Sequence, residues 1–124
     1  MITTKPTAEF SIFRDEMLIA LPKIEAVYAK HGIPCEITCG SNGHGLDDPH
    51  THGMAYDLGT HAIPQDSLKV VHMELIDALG LNYTVLYTDK PVTEAVYVDT
   101  PNAHFHIQFR KDLWHAIIDK ETQS

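Results

Sequence analysis

The chain carries nine histidines in 124 residues, and the informative ones fall in two short stretches. The first is Asp48-Pro-His50-Thr-His52-Gly53-Met-Ala55-Tyr-Asp57, and the second is His104-Phe-His106. Imidazole and carboxylate together are the usual inner ligands of a transition metal. Three such protein ligands, with a fourth position open to water, make the site catalytic. The pattern predicts a single zinc ion with a hydrolytic site around it.

His104 and His106 differ by two, so on a strand they share a face, roughly 7 Å apart at Cα. Gln108 continues that alternation, and a polar stripe facing solvent is the plain alternative. Ala55 and Asp57 share a face in the same way, and the small Ala55 leaves room beside the carboxylate. Gly53 allows a sharp bend between loop and strand that returns His50 toward Asp57, with His52 as the rival ligand. The plain alternative is an exposed polar turn followed by a strand-end carboxylate.

These residues need a scaffold. Thr7 caps a helix with Phe10, Phe13, Met17, Leu18 and Leu21 at helical spacing. Pro22 interrupts it, yet Ile24, Val27 and Tyr28 continue the pattern to Gly32, so two helices or one kinked helix both fit. Residues 33–39 read as a strand, Gly40 to His52 as a glycine-rich acidic loop, and Met54 to Leu58 as a second strand. Pro64 and Ser67 open a helix that carries Leu68, Val71, Leu75, Ile76 and Leu79 and stops at Gly80. Residues 82–88 and 94–99 alternate as a hairpin around Asp89-Lys-Pro91, and 104–109 adds a strand. A last helix covers Leu113 to Ile118. The expected fold is α+β, a small, mostly antiparallel sheet with helices packed on one face.

Composition bounds the rest. With no repeat, low-complexity stretch or linker, residues 1–124 are expected to form one domain. The net charge of −8, with only nine Lys and Arg, argues against nucleic acid or an anionic membrane as partner. The N-terminus lacks a signal peptide's apolar core and no run reaches membrane-spanning length, so a cytoplasmic protein is expected as synthesised. Cys35 and Cys39, about 13 Å apart on a strand, are too distant for a mutual disulfide. Buried free thiols are expected, with Cys39 bordering the histidine-rich loop. His31, His61, His72 and His115 have no partners at metal-ligand spacing and read as surface residues.

The segment His50-x-x-Gly53-x-Ala55-x-Asp57, followed by His104-x-His106, resembles the zinc peptidases related to D-Ala-D-Ala carboxypeptidases and dipeptidases. That group includes L-alanyl-D-glutamate endolysins, and the hedgehog signalling domain shares its fold. Ile37-Thr38-Cys39-Gly40 is similar to the Ile-Thr-Ser-Gly strand end of the family. Gly43-His44-Gly45 and Ala103-His104-Phe105-His106 resemble the hedgehog-like branch in particular. The resemblance spans about residues 34–108.

The resemblance implies that His50, Asp57 and His106 ligate zinc and that His104 hydrogen-bonds the attacking water or the oxyanion. It places Asp99 as general base, with Glu94 a weaker candidate. Asp47 and Asp48 suggest calcium as hedgehog-like loops bind it, or simply a solvated loop. Three departures stand out: Ser41-Asn42 replaces the arginine that often follows Ser-Gly, residue 48 is Asp where the motif has Ser, and the Glu-x-Trp-His ending is missing. The implied function is a monomeric zinc metallopeptidase that hydrolyses a bond of the peptidoglycan stem peptide through a metal-bound water. As a phage-derived endolysin it would be released to the cell wall. The alternative is a non-catalytic zinc module with a structural or partner-binding role.

Overall fold

The computed structural model describes residues 2–4, 15–39, 54–98 and 100–123. The expected helix start at Thr7, the 40–53 loop with His50, His52, Asp47 and Asp48, and the proposed base Asp99 lie outside them. In chain order the elements are β1 (Ile2–Thr4), α1 (Asp15–Lys30), β2 (Cys35–Cys39), β3 (Ala55–Gly59) and a 3-10 turn (Gln65–Ser67). They continue with α2 (Leu68–Leu79), β4 (Tyr83–Tyr87), β5 (His104–Phe109) and α3 (Lys111–Gln123).

The five strands form one sheet in the order β1-β2-β3-β5-β4. Every pairing is antiparallel except the parallel pair of β1 and β2. The sheet is two-faced because each strand alternates. Cys35, Ile37, Tyr56, Leu58, Val85, Tyr87, Phe105 and Ile107 are all buried, while Glu36, Thr38, Asp57, His104 and His106 between them are not. Met17, Ala20, Ile24, Val27 and Tyr28 of α1 join Leu68, Val71, Leu75 and Leu79 of α2 in the same apolar cluster as the buried strand residues. The helices thus close the apolar face of an α+β fold, and the polar face stays open. Trp114 of α3 completes the core.

Helix ends follow local chemistry. Gly32 (φ 65°) and Gly80 (φ 84°) take positive φ just past α1 and α2, which costs glycine least. α1 runs unbroken through Pro22, settling the one-helix reading.

Two expectations need correction. Residues 94–98 form no strand, and β4 instead pairs with β5 from Tyr83↔Phe109 to Tyr87↔Phe105. The 89–103 connection is fastened by other means: a turn at Tyr87↔Lys90, the Tyr87 hydroxyl donating to the Val98 carbonyl (3.1 Å), and the Tyr97 ring against Tyr87. His72 is also no surface residue, being fully buried on α2. Its Nε2–H donates to the Val85 carbonyl at 2.8 Å, and its Nδ1 accepts from the Tyr97 hydroxyl at 2.6 Å. With both ring nitrogens satisfied, an imidazole can occupy a core. His31 is half-buried and pairs with Glu74 at 3.0 Å beside Lys30, tying α1 to α2. Among the described residues no helix is long and apolar enough to cross a membrane.

Candidate metal centre

The open face has its chemistry on the two central strands. β3 and β5 pair so that Asp57 lies directly opposite His106, with Ala55 opposite Gln108 and Gly59 opposite His104. Side chains opposite one another on an antiparallel pair have Cβ atoms about 4.5–5.5 Å apart. The carboxylate therefore sits between two residues with little or no side chain, facing a column of two imidazoles and an amide. The arrangement follows from strand alternation and one register.

His106 Nδ1 lies 2.9 Å from Asp57 Oδ1, and His104 Nε2 lies 3.8 Å from the same oxygen. The three side chains keep 15–28% of their surface exposed, which is enough for a ligand to reach them. The other ring nitrogen of each histidine is engaged. His104 Nδ1–H donates to the Asn102 carbonyl at 2.8 Å, so the neutral ring presents an Nε2 lone pair toward Asp57.

His106 Nε2 is 2.7 Å from Gln108 Oε1. His106 is thus bracketed by two acceptors, the Asp57 carboxylate and the Gln108 amide oxygen, whereas a neutral imidazole has one N–H. A neutral ring that donates from Nε2 leaves its Nδ1 lone pair beside the Asp57 carboxylate, where the two could share a cation; metal-binding histidines are commonly held this way, with the outer N–H on a fixed acceptor.

Backbone anchors hold this geometry. The Tyr28 hydroxyl donates to the Gly59 carbonyl at 3.1 Å, and the buried Thr60 hydroxyl donates to the Ala103 carbonyl at 3.1 Å. Thr88 N–H donates to the His104 carbonyl at 2.6 Å from a left-handed backbone (φ 61°), which a β-branched residue adopts only under constraint. Register shifts between Ile37 and Cys39, beside Asp57; such irregularities re-aim side chains and recur beside active sites. Thr38 Oγ1 donates there to the Asp57 carbonyl at 3.3 Å.

A cleft of about 330 Å³ opens onto this cluster, lined by Glu36, Thr38, Asp57, Gly59, His61 and His104 among others. His61 and Glu36 are contributions that motif reading did not find, because neither stands at ligand spacing from the histidine clusters.

Of the expected ligands, Asp57 and His106 are brought into contact and His104 beside them. His50 and the base Asp99 lie outside the described residues, and Glu94 is exposed on the 89–103 connection. Among the described residues no group of three His, Cys, Asp or Glu side chains is arranged to hold a metal ion. One carboxylate and one imidazole with its outer N–H fixed are donors of the kind zinc takes, and among the described residues a third ligand is missing. Cys35 is buried and in no disulfide, and burial pushes its thiol up to about 12, which disfavours the thiolate. Comparison with known protein families, curated proteins and solved structures found no match.

Proposed function

We propose that the chain is a zinc-dependent metallopeptidase acting on a bond of the peptidoglycan stem peptide, with His50, Asp57 and His106 as ligands. The observation that carries the metal is the His106 ring fixed between the Asp57 carboxylate and the Gln108 amide on the open face. The substrate class rests on the resemblance of the His50–Asp57 and His104–His106 segments to stem-peptide hydrolases. Zinc held there would supply a Lewis acid for the scissile carbonyl and a nucleophile at neutral pH.

The chain's own residues do the rest. Asp57 contributes the anionic ligand and Gln108 fixes the ring of His106. Neutral His104, with Nδ1–H committed to the Asn102 carbonyl, accepts a hydrogen bond at Nε2 and so orients a water rather than donating to an oxyanion. Asp99 follows directly on Tyr97 and Val98, both of them anchored, and is assigned the proton transfer. The open cleft provides the room that a peptide chain needs, and calcium is not required for any of these roles.

The test is zinc content joined to cleavage. We expect one zinc per chain in the wild type and loss of zinc in His50→Ala, Asp57→Ala and His106→Ala. His104→Ala and Asp99→Ala should keep the metal and release fewer free amines from purified stem peptides. Full zinc in all three ligand variants overturns the centre. Loss of zinc in His104→Ala would make His104 a ligand, and zinc without any cleavage would leave a non-catalytic module.

A further inference from the structure

Three consecutive carbonyls lead into β5, and each is held by a different donor. The Asn102 carbonyl accepts from the His104 ring at 2.8 Å. The Ala103 carbonyl accepts from the Thr60 hydroxyl at 3.1 Å, and the His104 carbonyl from the Thr88 amide at 2.6 Å. Two tight turns meet at this point. Thr100–Ala103 closes with the Ala103 amide donating to the Thr100 carbonyl, and Thr60–Ile63 with the Ile63 amide donating to the Thr60 carbonyl, both at 3.0 Å. Pro101 suits the second position of its turn because its φ is already fixed. The Thr60 hydroxyl ties one turn to the other, and His61, Pro101, Asn102 and Ala103 of these turns line the cleft over Asp57.

The two side-chain bonds here differ in their surroundings. Thr60 is fully buried and Ala103 nearly so, so the hydroxyl holds its carbonyl away from competing water. The bond from His104 to Asn102 lies at the surface, where water competes for both partners. It persists only if the Asn102 carbonyl is aimed at the ring. That aim is set by φ and ψ of Ala103, whose N–H is held by the Thr100 carbonyl and whose own carbonyl is held by Thr60. Without the Thr60 hydroxyl the second of these peptide planes loses its tether. The angle between the Asn102 carbonyl and the His104 ring is then no longer fixed.

We infer that Thr60 is a positioning residue for His104: its hydroxyl holds the Ala103 peptide so that the Asn102 carbonyl keeps the proton of the neutral His104 ring on Nδ1. Which ring nitrogen of a histidine carries the proton is set by the bond its partner makes. Nε2 is then left as an acceptor 3.8 Å from Asp57 Oδ1, the nitrogen assigned to orient water. The consequence for turnover rests on the peptidase reading. The position of the proton does not, since it is a property of the chain without metal or substrate.

The test reads the ring directly. In the metal-free full chain at pH about 8.5, well above the ordinary imidazole pKa, long-range proton–nitrogen couplings of His104 distinguish Nδ1–H from Nε2–H. We expect Nδ1–H in the wild type and in Thr60→Ser, which keeps the hydroxyl. Thr60→Val keeps the shape without the donor and should move the ring to a mixture or to Nε2–H. Thr60→Ala should do the same and serves where Thr60→Val does not fold. The wild type alone supplies a further reading, a Thr60 hydroxyl proton that exchanges slowly with water. An Nε2–H ring in the wild type, fast exchange of that hydroxyl, or an unchanged ring in folded Thr60→Val or Thr60→Ala overturns the inference. With zinc loaded, Thr60→Val should keep the metal and lower kcat about 10–100-fold with KM little changed, and Thr60→Ser should restore it. In a His104→Ala background Thr60→Val should lower the rate no further; a second drop of the same size means that Thr60 acts elsewhere and overturns the inference. Absence of cleavage in every form counts against the peptidase reading alone, because the proton on the ring is read without turnover.

Discussion

His106 touches Asp57 through one nitrogen and Gln108 through the other, so its ring is held in one orientation beside the carboxylate. Gln108 holds no charge and acts only by fixing the ring. Gln108→Ala is expected to lower zinc affinity about 10–100-fold without abolishing binding, measured by competition with a chromogenic chelator. An unchanged affinity would remove Gln108 from the site. His72 is a different kind of histidine, one that burial holds below the ordinary imidazole pKa. The unfolded chain gains a proton at this residue near pH ~6.5 and the folded chain does not. The unfolded state thus binds more protons between the lowered pKa and ~6.5. Stability is complete above that window and falls as pH drops through it. Urea midpoints should decline more steeply from pH 7.5 to 5.5 in the wild type than in His72→Gln. Tyr97→Phe leaves Nδ1 of His72 a buried acceptor without its donor and should cost about 1–3 kcal/mol.

Among the elements, β3 and β5 do the most for the site, because a single register sets Asp57 against His106 and Gly59 against His104. A one-residue slip would turn both imidazoles into the apolar core and Phe105 and Ile107 outward. β5 is flanked on both sides by strands, by β3 and by β4, which makes such a slip costly. α1 is positioned by side chains that reach across to the sheet, Tyr28 to the Gly59 carbonyl and the Tyr83 hydroxyl to the Glu16 carbonyl. Pro22 costs it a backbone hydrogen bond in mid-helix and is exposed. Pro22→Ala is therefore expected to raise stability, by up to about 3 kcal/mol, read from chemical denaturation. A loss of stability would show that the proline shapes α1 for its packing.

The whole molecule divides its labour between the two faces of one sheet. The helices bury one face, and the other keeps the carboxylate, the imidazoles and the cleft beside them. If zinc binds only the folded chain, then chelation must destabilise the entire domain. With free zinc at 100 times its dissociation constant the bound metal contributes about 2.7 kcal/mol. The expected result is a lower melting temperature in chelator, restored by added zinc, and no such response in Asp57→Ala. A melting temperature that ignores chelator in the wild type would argue against a metal in the fold.

What the sequence determined by itself is local. The two-residue period of 104–109 put His104 and His106 on the face opposite Phe105 and Ile107, and Gly32 and Gly80 marked the ends of their helices. Both depend on neighbouring residues alone. The motif likewise singled out Asp57 and His106 before any pairing was known. Tertiary structure decided which strands meet. The alternation of 94–99 was as good a partner for β4 as that of 104–109, and only the packed sheet, with His72 and Tyr97 fastening the connection, selects β5. It also made His72 a core residue, which no spacing announces, because burial depended on donors and acceptors supplied by Val85 and Tyr97 from distant parts of the chain. The cleft over Asp57 and Glu36 is of the same kind, since it exists only where β2, β3 and the residues before β5 lie side by side.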